Sequence, residues 1–135
     1  GVLICFEIIF PGLSRRFVKN GADLLITITN DAWFGRTAAP IQHFSTAVFR
    51  AVENRRCVAR AANTGISGFV DPTGRILKRS GIFEKAHLTG NLPLPDLKTV
   101  YTRFGDRFAV FCTVAIFLFF VVQMGMHYKR KTIAK

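Results

Sequence analysis

Apolar residues come in continuous runs rather than strict alternation over the first part of the chain. Residues 2–8, within GVLICFEII, read as a buried strand. Pro11 and Gly12 interrupt it. Leu13 to Asn20 then carry apolar residues at helical spacing, predicting a short amphipathic helix that Gly21 closes. ADLLITITN is a second buried strand, of the kind that suits a parallel or sandwich-core position. It empties into the loop NDAWFGRTAA. Pro40 fits the first turn of a helix, and Ile41, Phe44, Val48, Ala51 and Val52 recur at steps of three and four, predicting a core face through about Asn54. RCVARAA, SGFVDPTGRILKRS and AHLTGNLPL read as successive strands, with Asn63-Thr64-Gly65 and Asp71-Pro72-Thr73-Gly74 as turns. Strands, a helix and a strand meander imply a layered α/β domain.

The pattern changes at Phe108. FAVFCTVAIFLFFVVQMGM, Phe108 to Met126, holds no charge in nineteen residues. As a helix it would reach roughly 28 Å, close to the hydrocarbon thickness of a bilayer. With no polar stripe it has no wet face, so a transmembrane helix is expected at 108–126. PLPDLKTVYTRFGDR precedes it, with two prolines and mixed charge. Its basic residues suit either lipid phosphates at the interface or a plain solvated linker. Lys129, Arg130 and Lys131 outnumber Arg103 and Arg107, which places the C-terminus in the cytoplasm.

Charge sharpens this reading. The net charge is +11; the chain to Arg107 holds fifteen Lys and Arg against eight Asp and Glu, and the last nine residues add four basic residues and no acid. A basic balance suits nucleic acid or anionic lipid. Spread-out basic residues and a tail beside an apolar span argue for lipid and against nucleic acid. Half of the residues are hydrophobic and fourteen are Phe, which also points to lipid. Three cysteines without a CxxC pair indicate neither a disulfide framework nor a zinc site. Cys112 lies in the apolar span and Cys57 in a strand, where each reads as packing. Cys5 has company that could be chemical. It ends a buried strand ahead of a turn and helix, where helix dipoles would favour the thiolate. Simple packing is the alternative. Glu7 would share a face with Cys5 if the strand persists, or pair with Arg15 or Arg16 at the sheet rim. The opening without methionine inside an apolar run is read as the C-terminal part of a longer chain.

CFE before FPG, then GADLLITITNDAWFG, QHFSTAVFRAVENRRCVARAANTGISGFVDPTG and YTRFGD ahead of a final apolar span, resemble the apolipoprotein N-acyltransferase family of the nitrilase superfamily. The resemblance runs from Cys5 to Asp106. Its strongest part is NDAWFG with Gln42-His43 seven residues after Gly35. It implies the C-terminal part of a four-layer αββα sandwich followed by one transmembrane helix. Residues 1–98 would belong to the nitrilase-like catalytic domain, 99–107 to an interfacial connector, and 127–135 to a basic cytoplasmic tail. By the same resemblance Cys5 is the nucleophile, taking an acyl chain from a phospholipid as a thioester and passing it to the N-terminal amine of a diacylglyceryl-cysteine on an apolipoprotein. No cofactor or metal is implied. The backbone N–H of Phe6 would support the oxyanion; many relatives carry Tyr there. Glu7 would support the geometry, and Trp33 and Phe34 would face lipid or acyl chain or anchor the loop. His43 would fix the loop rather than act as base, and Asn63 and Thr64 would form a turn near the site. The family's catalytic glutamate and lysine lie upstream of the cysteine, so this chain alone is expected to be inactive. The implied location is the bacterial inner membrane, with the catalytic part on the periplasmic side. A membrane-tethered nitrilase-type amidase and a non-catalytic lipid-binding membrane module are the competing readings.

Overall fold

The computed structural model describes residues 1–133, and side chains as far as Gly125. The expected basic tail, 127–135, lies outside the described side chains. The chain divides into two units, Gly1–Arg103 and the segment from Phe104 onward.

The first unit is one five-stranded sheet in the order β1-β2-β3-β4-β5 with helices on one face. Strands β1 (Val2–Ile4), β2 (Leu24–Asn30) and β3 (Cys57–Asn63) run parallel, while β4 (Gly68–Val70) and β5 (Ile76–Arg79) complete the sheet antiparallel. Parallel neighbours need crossovers. Helix α1 (Pro11–Lys19) lies between β1 and β2, and α2 (Ala39–Asn54) between β2 and β3. The register aligns Leu3, Thr27 and Arg60 in one row across the three strands, and all three are buried. Leu25 and Val58 join them on that face, where Val18 of α1 and Phe44, Ala47 and Ala51 of α2 close the core. Burying each such side chain stabilises by about 1.5–3 kcal/mol. The flanking row Ile4, Ile28 and Ala61 belongs to the opposite face, and Ile4 and Ile28 are about half exposed.

Three expectations need correction. The first strand stops at Ile4, because Cys5 turns into the left-handed region at φ 52° and a 3-10 turn spans Cys5–Ile9. The buried face of α2 is Pro40, His43, Phe44, Ala47, Arg50, Ala51 and Asn54, so Ile41 and Val52 are exposed instead. Three polar residues took places on that face because their partners lie on other elements. The second meander segment forms as a hairpin, β4 and β5, about the expected Asp71–Gly74 turn, which is closed by the Asp71 carboxylate and by Gly74 at φ 89°. No strand forms over 86–94. Its Pro93 and neighbouring Leu97 serve as carbonyl acceptors at the amino end of β3.

Helix α3 (Val100–Phe104) opens the expected connector, and Arg15 donates to the carbonyls of Tyr101 (2.9 Å) and Arg103 (3.0 Å). In the second unit, α4 (Arg107–Ile133) contains a stretch, Arg107–Gly125, long and apolar enough to cross a membrane.

Candidate functional site

In parallel α/β sheets the carboxyl ends of the strands are the usual place for a site, and here they gather most of the chemistry. Cys5 follows β1 directly, half-buried, in a backbone conformation uncommon for any residue but glycine. Such local strain persists only when the surroundings hold it. Glu7 supplies one hold: its Oε2 accepts the Ile4 N–H at 2.7 Å. Arg50 of α2 supplies another, donating to the Ile9 carbonyl at 3.2 Å while pairing with Glu53 at 2.8 Å. Glu7 therefore braces the turn rather than sharing a strand face with Cys5. No ion pair to Arg15 or Arg16 is among those of the described residues.

Behind the turn lies a buried polar cluster that the sequence reading did not single out. Asp31, directly after β2, pairs through Oδ2 with Arg60 Nη2 at 2.8 Å, both side chains being fully buried. Its Oδ1 takes the Thr29 hydroxyl at 3.0 Å and lies 3.0 Å from His43 Nδ1. Arg60 Nη2 is also 3.1 Å from that nitrogen. Arg can only donate. A protonated Nδ1 thus donates to Asp31, and a bare one accepts from Arg60. Arg60 Nε donates to the Ile66 carbonyl at 3.1 Å. Two buried atoms of the cluster, Arg60 Nη1 and His43 Nε2, have no partner among the described residues. Burial pulls the Arg60 pKa below its ordinary value, while negative charge on Asp31 and then on Cys5 works the other way. Gly65 lets the Asp31 carboxylate approach: a Cβ there would collide with Asp31 Oδ2. The signal available in the sequence was a charged residue on the inward row of an apolar strand, Arg60, and an aspartate closing the preceding one.

His43 therefore ties the loop after β2 to α2. Its ring meets Phe6 at 5.5 Å and Phe34 at 6.1 Å between centroids, and Phe6 and Phe34 are 6.4 Å apart. These three, with Ile9, Gln42 and Thr46, line an open cavity of about 330 Å³. Trp33 is not drawn in and is 85% exposed. Asn63 ends β3, its carbonyl accepting the Asp31 N–H at 3.1 Å, and Thr64 follows at φ 63°. Among the described residues, no three His, Cys, Asp or Glu stand together to hold a metal ion.

Over residues 1–102 the chain matches the carbon-nitrogen hydrolase family, and it belongs to that family. The structure is similar to Saccharomyces cerevisiae Nit3, a member of branch 10 of the nitrilase superfamily, with a TM-score of 0.53 and 28% identity over 63% of this chain and 34% of that one. In sequence the chain is 47% identical, over 98% of its length, to an apolipoprotein N-acyltransferase of Geobacter metallireducens, and 46% identical, over 87%, to that of Thermotoga maritima. It spans 25% and 24% of the lengths of those relatives.

Proposed function

We propose that this chain carries the nucleophile of a membrane-bound apolipoprotein N-acyltransferase. The observation behind the reading is Cys5, half-buried and left-handed at the carboxyl end of β1, in a chain so similar to enzymes of that name. The Cys5 thiolate attacks the ester carbonyl of a phospholipid; a C–S bond forms, the ester C–O bond breaks, and the lysophospholipid leaves with a proton. The amine of a diacylglyceryl-cysteine then attacks the thioester; C–N forms, C–S breaks, and the amine's proton is lost as the thiol returns. Splitting one hard transfer into two is ordinary covalent catalysis. The Phe6 N–H donates to the oxyanion, an arrangement worth about 3 kcal/mol per donor. Phe6 and Phe34 offer the acyl chain an apolar wall, and exposed Trp33 meets lipid. The apolar stretch of α4 anchors the enzyme in the inner membrane with the sheet on the periplasmic side.

The test is the intact mass of the full-length protein after incubation with phospholipid, with and without hydroxylamine, which cleaves thioesters. An acyl-sized adduct on Cys5 that hydroxylamine removes, and that Cys5→Ala lacks, supports the reading. No adduct with Cys5 reduced and phospholipid in excess overturns it. The family's description favours one second reading, hydrolysis of an amide by the same cysteine. A lipopeptide amine that outcompetes water for the intermediate decides for transfer.

A further inference from the structure

Arg60 is 3% exposed, yet it leaves one guanidinium nitrogen without a partner among the described residues. Burying an unpaired donor is costly, and such a group calls for an explanation beyond packing. Its position supplies one. Arg60 stands in the inward row with Thr27 and Leu3, and Cys5 follows Leu3 by two residues at the rim toward which the guanidinium reaches. Asp31 Oδ2 holds one arm and the Ile66 carbonyl holds Nε, so the cation cannot swing away.

We propose that Arg60 is a positioning residue for chemistry at Cys5, a buried cation fixed by Asp31 and Ile66 whose charge favours negative charge on the sulfur. The inference rests on Cys5 being the reacting thiol. Negative charge at Cys5 acts on the Arg60 guanidinium, so the two groups stand near enough to feel each other's charge. The other charged groups around the turn are occupied elsewhere. Glu7 is on the Ile4 amide, Arg50 is on Ile9 and Glu53, and Arg15 of α1 is on the Tyr101 and Arg103 carbonyls. Arg16 and Lys19 of α1 are exposed, and His43 of α2 shares the Asp31 cluster. Arg50 also keeps one buried nitrogen, Nε, without a partner among the described residues, but it spends its charge on Glu53 at 2.8 Å; the cation on which charge at Cys5 acts is Arg60.

The test is the rate at which iodoacetamide alkylates Cys5 in the full-length detergent-solubilised protein, followed by mass mapping across pH. Near pH 6, Arg60→Gln slows alkylation about tenfold, and the difference shrinks as pH rises. Arg60→Lys restores much of the loss. Asp31→Asn, which keeps the acceptor and releases the cation from its counter-charge, speeds alkylation severalfold at the same pH. Opposite signs for the two substitutions support the proposal, because loss of structure alone would move both the same way. Profiles for Arg60→Gln and Asp31→Asn that superimpose on the parent, or shift together, overturn it. A Cys5 that follows the expected profile yet never carries an acyl group leaves the role of Arg60 standing and overturns acyl transfer alone.

Discussion

The two ends of the parallel strands each bury an arginine and place a cysteine nearby, and they use them differently. At the amino end, Arg56 is 2% exposed and donates to the carbonyls of Ala22 (3.0 Å), Leu97 (2.8 Å) and Arg55 (3.1 Å). Cys57 beside it is fully buried, its thiol on the Pro93 carbonyl at 3.0 Å. Burial, and after it the Asp71 carboxylate, push that thiol above its ordinary pKa, which makes it inert. At the carboxyl end, Arg60 is held by a charge and keeps a nitrogen unpaired among the described residues, at the same end of the strands as the left-handed, half-buried Cys5. Burial alone thus says little about function. What differs between the two ends is the hold: carbonyls alone at Arg56, a buried carboxylate at Arg60.

The sharpest way to break the comparison is to remove each arginine. Arg60→Gln leaves Asp31 charged and buried without its partner, which costs about 3–5 kcal/mol. Arg56→Gln gives up charged bonds to carbonyls, about 2–3 kcal/mol, and leaves the alkylation profile of Cys5 unchanged. Thermal unfolding in detergent, read beside the alkylation rate, separates the two. Equal losses of reactivity at Cys5 would erase the distinction between the ends. Next in size is Gly65→Ala. Its methyl group meets the Asp31 carboxylate, and the shift it forces costs about 1–3 kcal/mol. Because that shift falls on the Asp31–Arg60 pair, Cys5 alkylation near neutral pH changes as well, which the same unfolding and labelling series detects.

The layered α/β class, the parallel placement of β2, both long helices and the apolar span were legible because continuous apolar runs and three-to-four spacing report burial directly. The details that failed share a cause. The 2–8 run looked like one strand because apolarity does not register a single left-handed residue, and Cys5 is where the chain turns. The inner face of α2 was drawn one step off because the rule counts apolar residues, whereas His43, Arg50 and Asn54 are buried on partners from β2, the Cys5 turn and α3. Asp31 and Arg60 are twenty-nine positions apart, so neither shows its partner in a local window. AHLTGNLPL resembled a strand by composition, but its carbonyls serve Cys57 and Lys78 instead of a sheet neighbour. Cys5 stood out as a candidate through its surrounding motif; the buried Asp31–Arg60 pair did not.

The smallest effect lies at the hairpin turn beside the amino end. Burial raises the Asp71 pKa, but the Thr73 hydroxyl, the amides of Arg75 and Thr73 and the Arg75 charge outweigh it and hold the carboxyl below its ordinary value. A carboxyl with a lowered folded pKa contributes stability that is present above about pH 4 and is lost as pH falls through the folded value. The turn is near the surface, so the contribution is well under about 1 kcal/mol. Asp71→Asn keeps an oxygen acceptor for the Thr73 and Arg75 amides and removes the charge. The gap in denaturation midpoint between parent and variant should therefore narrow as pH drops from about 6 toward 3. Cys5 alkylation should be the same in both throughout the accessible range, because the charge altered sits against Cys57. A change in Cys5 reactivity on replacing Asp71 would mean that the two ends of the sheet communicate, and the contrast between a clamped end and a reactive one would have to be redrawn as a single charge network.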